Sequence, residues 1–147
     1  MFGLQVLLNS ANDQFTEIPQ EQWSHKPKPD KWSKKEILGH LVDSAIHNLQ
    51  RFNEIVFQEK PYTVRPYDQD NLVAANGYQE RDLEEVIGLW LALNSQIDYI
   101  MNKQNPQTLR HPVITPEGQL KDLQWLMDDY VVHLRHHLSQ ILNHGKI

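Results

Sequence analysis

Four segments of the chain carry apolar residues at steps of three and four, the spacing of one face of an α-helix. They cover roughly residues 2–15, 34 to about 58 or 59, 80 or 81 to 102, and 120–144. Between them, no run alternates apolar and polar residues for long enough to give a convincing strand. The pattern predicts an all-α protein, a single four-helix bundle with long loops between the helices, as one domain over residues 1–147.

Local signals place several of the helix ends. Ser33 followed by Glu36 has the form of a capping box, which predicts a sharp start of the second helix. Asp82 with Glu85 is a weaker signal of the same kind before the third helix. Gly145 is expected to end the fourth helix.

Two of the connections are long. Residues 60–79 contain prolines, a glycine and three tyrosines, which is too aromatic for a solvated linker. Loops of this length are uncommon in compact domains unless they are functional or disordered. In the later connection, Val113 and Ile114 are expected to form a short extended piece, followed by a turn from Thr115 to Gly118.

Composition excludes some classes of site. The chain has no cysteine, so a disulfide framework, a thiolate zinc site and a cysteine nucleophile are excluded. The formal charge of −5 disfavours binding to nucleic acid. Neither a signal peptide nor a stretch of 18 apolar residues is visible, so we expect a cytoplasmic protein without a membrane span. Any metal would be bound by imidazoles and carboxylates, and the chain has eight histidines.

The sequence feature richest in chemistry is a pair of histidines in the fourth helix. His133 and His137 are four residues apart, so both imidazoles lie on one face. Such a pair can supply two metal ligands, and bundles build metal sites from facing helices. His40 is the best candidate for a third ligand, because it begins a polar break in the apolar face of the second helix. The alternative is that these histidines are hydrogen-bonded core residues, since i,i+4 pairs also occur by chance.

Several residues around this set are candidates for further roles. Asp43, one turn after His40, could orient a ligand imidazole or act as a base, or make only a local hydrogen bond. Tyr130 lies one turn before His133, and Gln140 lies nearly one turn after His137. His136 is about 100° around the helix from His137, so it should point away and lie outside the ligand set or at an interface.

The residues also resemble a known family. Residues 32–44, followed by Arg51-Phe52, are similar to the second helix of the DinB-like/YfiT-like metalloenzymes. The run 133–137, His-Leu-Arg-His-His, followed by Gln140-Ile141, is similar to the closing motif of that family. Weaker landmarks are Pro66-Tyr67-Asp68 and residues 109–112. The similarity covers most of the chain in order, from Trp32 to Ile141.

The resemblance implies a four-helix bundle of unusual connectivity, often dimeric, with a zinc- or nickel-like ion on His40, His133 and His137. Members of the family are metal-dependent hydrolases, or use low-molecular-weight thiols such as bacillithiol or mycothiol. We therefore expect a metal-dependent enzyme acting on a small molecule, either a hydrolase or a thiol S-transferase, and a homodimer. A metal-binding, ligand-binding or interaction module without turnover is the alternative.

The sequence also gives candidates for residues of the substrate pocket. Tyr67 and Asp68 are expected on the loop that covers the pocket. An anionic thiol would require a basic patch, for which Arg51 is a candidate together with Arg65, Arg110 and Arg135.

Overall fold

The computed structural model describes residues 3–142. In that part of the chain, six α-helices and three short strands follow one another. They are α1 (Leu4–Phe15), α2 (Gln20–Ser24), α3 (Lys34–Phe57), β1 (Tyr62–Thr63), α4 (Gln69–Asn76), α5 (Leu83–Asn102), β2 (Pro112–Ile114), β3 (Leu120–Asp122) and α6 (Leu123–Ile141). Two single 3₁₀ turns are added at Tyr78–Glu80 and Thr108–Arg110.

The long helices α1, α3, α5 and α6 correspond to the four predicted segments and form the bundle. Helix α3 lies against both α5 and α6, and α1 packs on α5. The core between them contains fully buried aromatic and aliphatic side chains, among them Leu38, Phe52, Trp90, Ile97 and Met127. Burial of these faces is the main source of the bundle's stability. None of the described helices combines the length and the apolar character needed to cross a membrane.

The predicted helix caps are confirmed. The Ser33 hydroxyl accepts a hydrogen bond from the Glu36 amide at 3.1 Å, and the Glu36 carboxylate accepts one from the Ser33 amide at 3.0 Å. The Asp82 carboxylate accepts from the Glu85 amide at 3.3 Å. The predicted start of the last helix at residue 120 is wrong, because residues 120–122 form β3 and the helix begins at Leu123. Residue 2 and the predicted end at residues 144–145 lie outside the described residues.

A three-stranded sheet corrects the strictly all-α prediction. Its strand order is β1-β2-β3, with β1 parallel to β2 and β2 antiparallel to β3. The expected extended piece at residues 113–114 is part of β2, and the expected turn closes with the Gly118 amide on the Thr115 carbonyl at 2.9 Å. Strands of two or three residues are too short to show a period of two. The partners Tyr62 and Val113 are also far apart in sequence, so no local pattern indicates their pairing.

The long connection before α5 is folded rather than loop-like, which also corrects the prediction. It contains β1, helix α4 and the Tyr78 turn. Asp68 caps α4 by accepting a hydrogen bond from the Asn71 amide at 3.2 Å, and Gly77 ends it with a φ of +64°. Within α4 only Val73 is buried, so the segment has no apolar stripe from which to predict a helix. The same holds for α2, in which only Trp23 is buried.

A close approach at Gly39 joins this connection to α3. A Cβ atom at residue 39 would lie 2.1 Å from Cδ2 and 2.3 Å from Cγ of Tyr78. These atoms are near the base of a buried side chain, which cannot move away freely. Only glycine therefore allows the Tyr78 ring to lie on α3 next to His40.

We predict that Gly39→Ala lowers the free energy of unfolding by about 1–3 kcal/mol, because overpacking outweighs the better helix propensity of alanine. Gly88→Ala in α5 is the matched control, since a Cβ there would meet nothing within 4 Å. The control should raise the free energy of unfolding by about 0.5–1 kcal/mol. Urea unfolding of both variants measures this, and equal stabilisation by the two alanines would contradict the prediction.

Candidate metal centre

Three histidines from two helices meet inside the bundle. His40 comes from α3, and His133 and His137 come from α6. The Nε2 atoms of His40 and His133 are 3.2 Å apart. One nitrogen from each of the three rings lies within 4.8 Å of the others. The structure therefore brings together all three residues that the sequence analysis selected as ligands.

The second nitrogen of each ring shows how the rings are oriented. His137 Nδ1 is 2.9 Å from the side-chain oxygen of Gln140, so it carries the proton and donates. His133 Nδ1 lies 3.5 Å from the Ser44 hydroxyl. These contacts leave the Nε2 atoms of His133 and His137 free to face the middle of the three-histidine cluster. Within the described chain, the buried Nδ1 of His40 has no hydrogen-bond partner.

The environment keeps the three imidazoles neutral. Burial lowers the pKa of His40 to about 3, with smaller contributions from the charges of His137 and His133. Burial, followed by repulsion from His137 and His136, lowers the pKa of His133 to about 4. The pKa of His137 is also lowered, mainly by burial. Neutral rings at pH 7 have the lone pairs that a metal ligand requires.

The arrangement fits a divalent ion. Two nitrogens bound tetrahedrally at 2.0–2.1 Å lie about 3.3–3.4 Å apart, close to the observed 3.2 Å between His40 and His133. Among histidine, aspartate and glutamate residues in the range 3–142, the cluster holds these three residues and no fourth. Three protein ligands with one position left over is the pattern of catalytic zinc sites.

Asp43 is fully enclosed but does not hydrogen-bond to a histidine ring of the cluster. Its Oδ1 accepts from the Tyr78 hydroxyl at 2.6 Å and from the Asn76 amide at 2.8 Å. Its Oδ2 is buried without a partner in the described residues. Burial raises the pKa of Asp43, while the bonds from Tyr78 and Asn76 counteract this effect. Asp43 thus attaches the end of α4 to the helix that carries His40.

A pocket of about 390 Å³ adjoins His133 between α3, α6 and the sheet. Three predicted pocket residues, Arg51, Tyr67 and Tyr130, line it. The other lining residues are Ser44, Asn48, Val64, Thr115, Pro116, Glu117, Trp125, Leu126 and Asp129. Its size and mixture of apolar and polar groups suit a small molecule.

Two predicted pocket residues lie elsewhere. Gln140 is outside this pocket and instead bonds His137, and its amide nitrogen lies 3.3 Å from Nε2 of the exposed His136. Asp68 is exposed and caps α4. His136 is not in the cluster of three, as its position on the helix predicted.

One buried hydrogen bond and two half-buried aromatic contacts position the pocket walls. The Tyr130 hydroxyl donates to the buried Asn94 side chain on α5. The Tyr67 ring stacks on His47 with centroids 4.4 Å apart, and the Arg51 guanidinium lies 5.5 Å from the Tyr67 centroid. Arg51 and Tyr67 also line a second, polar groove on their other side.

Sequence reasoning missed several pocket residues, for two different reasons. Asp129 and Trp125 lie four and eight residues before His133, so the helical spacing could have indicated them. Thr115 and Glu117 come from the hairpin between β2 and β3. Their approach to α6 depends on a tertiary contact that has no local signal.

We predict that Tyr78→Phe lowers the free energy of unfolding by about 1–3 kcal/mol at neutral pH, because buried Asp43 loses a hydrogen-bond donor. Losing that bond raises the pKa of Asp43 further. The ionised form is the one destabilised, so the loss should shrink as the pH falls through that pKa and the carboxyl takes up a proton. Urea unfolding at several pH values tests this, with the exposed Tyr99→Phe as the control. A loss independent of pH would contradict it.

Comparison with known proteins places the chain in a family. The model of the DinB superfamily matches residues 8–141. "Putative metal-dependent hydrolase YfiT" of Bacillus subtilis (strain 168) is 26% identical over 117 residues, covering 75% of this chain and 62% of that protein. The chain therefore spans less than two thirds of that relative's length.

Solved structures share the fold. YfiT from Bacillus subtilis, described as having "an unusual four-helix bundle topology", superposes with a TM-score of 0.82 at 19% identity, over 95% of this chain and 80% of that one. A mutant of the mycothiol-dependent maleylpyruvate isomerase gives a TM-score of 0.74 at 13% identity, over 95% and 58%. The family resemblance read from the sequence is confirmed: this chain belongs to the DinB superfamily.

Proposed function

We propose that this chain is a metal-dependent hydrolase of a small molecule, in which His40, His133 and His137 bind one divalent ion, zinc or nickel. The observation that supports this most is the convergence of three neutral imidazoles beside a pocket. The 26% identical relative named as a metal-dependent hydrolase agrees with it.

A divalent ion held by these rings would act as a Lewis acid, polarising a substrate carbonyl and lowering the pKa of a coordinated water. The protein's own residues prepare the centre for this. Gln140 fixes the tautomer of His137, and Ser44 lies against Nδ1 of His133. The Trp32 ring packs against the His40 ring with centroids 5.0 Å apart, and His40 is fully buried.

Asp43 was considered as a group that orients a ligand imidazole, as a base, or as a partner in local hydrogen bonds only, and its contacts favour an indirect effect on the orientation of His40. Its bound oxygen faces Tyr78 and Asn76, not the pocket. Asp43 therefore acts on the centre through the position of His40, one turn away on the same helix.

A second candidate function is thiol S-transfer. A thiol-dependent isomerase shares the fold, and a nitrogen-rich divalent site also lowers the pKa of a thiol. A module without turnover is less well supported, because no fourth protein ligand closes the cluster within the described chain. The homodimer and the cytoplasmic location stay predictions.

The ligand assignment predicts the metal content of single variants. Wild-type protein reconstituted with Zn²⁺ or Ni²⁺ should retain about one ion per chain after desalting. His40→Ala, His133→Ala and His137→Ala should each lose most of it, because two imidazoles bind far more weakly than three. His136→Ala, whose ring neighbours His137 but is exposed, should retain the ion. Mass-spectrometric metal analysis reads this out, and stoichiometric metal in all three triad variants would overturn the assignment.

The choice of reaction is tested with two substrate panels on the same metal-loaded protein. The hydrolase proposal predicts turnover of small esters or amides that is lost on chelation and restored by the metal. S-transfer would instead consume bacillithiol, mycothiol or glutathione only when an electrophile is present. His137→Ala should abolish either activity, and His136→Ala should not. Turnover that survives chelation would contradict both.

A further inference from the structure

A row of side chains leads away from the histidine cluster along each of the facing helices α3 and α6. The Ser44 hydroxyl lies against His133, and the pocket brings later residues of α3 next to earlier residues of α6. The two helices therefore run antiparallel there, and both rows extend in one direction from the cluster. On α3 the row is His40, Ser44, Asn48 and Arg51, and on α6 it is His137, His133, Asp129 and Trp125.

Arg51 brings an unneutralised cation to the far end of these rows. Its Nη1 donates to the Asn48 side chain at 3.3 Å, and its Nη2 donates to the backbone carbonyl of Arg65. No carboxylate within residues 3–142 forms an ion pair with it. A half-buried guanidinium remains charged and gains most from a carboxylate that binds its fork. The bond to Asn48 shows that the side chain reaches back toward the cluster.

Asp129 brings a negative charge closer to the cluster, one turn before His133. Glu117 from the hairpin lines the same pocket. Asp129 and Glu117 are both solvent-exposed at the pocket rim, and partial desolvation together with the charge of Glu117 raises the pKa of Asp129, so the two carboxylates repel each other. Neither has an ion-pair partner in the part of the chain that the structure describes. A cation placed between them would relieve this repulsion.

We infer that the pocket recognises an α-amino-acid-like group of the substrate, with its ammonium at Asp129 and Glu117 and its carboxylate at Arg51. This inference rests on the proposed function, because the reacting end of the substrate must lie at the histidine cluster. The order of charges along the rows requires the ammonium to lie between the reacting group and the carboxylate. The pocket volume of about 390 Å³ accommodates a molecule of this size.

Three hydroxamates with the same four-carbon skeleton test the inference. Each would anchor to a bound metal through its hydroxamate, and they differ in whether a carboxylate and an ammonium are present. Butanohydroxamic acid carries no other charged group, succinic acid monohydroxamate adds a carboxylate, and L-aspartic acid β-hydroxamate adds both a carboxylate and an ammonium. Their affinities for the Zn²⁺-loaded protein are measured by titration calorimetry, with metal content checked afterwards.

In wild-type protein we expect the carboxylate to improve the affinity about tenfold and the ammonium to improve it severalfold more. Arg51→Met should remove the advantage of the succinic over the butano compound, and Arg51→Lys should keep part of it. Arg65→Met is the control, because that side chain lines the neighbouring groove. It should change neither the affinity gained from the carboxylate nor the affinity gained from the ammonium. Asp129→Asn should remove only the advantage of the ammonium. Binding of the butano compound, together with thermal unfolding, reports that each variant is folded.

The possible failures are distinguishable. Equal affinity of the three probes for metal-loaded wild-type protein overturns this inference and leaves the metal centre standing. Charge preferences that survive Arg51→Met and Asp129→Asn also overturn it. If the wild-type protein retains neither Zn²⁺ nor Ni²⁺, the proposed function fails and this inference fails with it.

Discussion

His40 on α3 packs against His133 and His137 on α6, and this contact sets how the two helices meet. His40 is buried and His133 and His137 are half-buried between the helices, where polar groups are costly unless they are partnered. Hydrogen bonding by Ser44 and Gln140 offsets part of that cost, and burial keeps the rings uncharged. The apolar ends of the helices hold the polar middle in place. Among the described residues, Nδ1 of His40 has no hydrogen-bond partner, and His40 is the most buried of the three histidines.

A second group of contacts transmits the position of α4 to this centre. Gly39 admits the Tyr78 ring onto α3, and the Tyr78 hydroxyl reaches Asp43 one turn beyond His40. Asn76 at the end of α4 reaches the same carboxylate. A segment with no apolar stripe of its own is thereby ordered by one aromatic ring and one buried acid. The stability of α4 is therefore coupled to the orientation of the turn of α3 that carries His40.

The pocket owes its charge pattern to three separate parts of the chain. Arg51 comes from α3, Asp129 from α6, and Glu117 from the hairpin between β2 and β3. Pairing of β1 with β2 closes the pocket by placing Val64 and Thr115 on one side. Opposite charges that do not reach each other leave an electric field across a water-accessible space. A field of this kind selects among substrates by their charge distribution.

Features that depend on neighbouring residues could be predicted from the sequence. The Ser33–Glu36 box, the Asp82 cap and the pairing of His133 with His137 on one face follow from spacings of three and four. The apolar stripes predicted the four long helices, and the polar break in one of them indicated His40 as the partner of the histidine pair. The sheet, the packing of α4 and the set of residues that line the pocket depend on contacts between segments far apart in the chain. The Asp68 cap of α4 is a local contact with the Asn71 amide three residues on, but α4 lacks the apolar stripe that would have predicted a helix there. Glu117 reaches the pocket because distant segments meet, and such contacts leave no periodic trace in the chain.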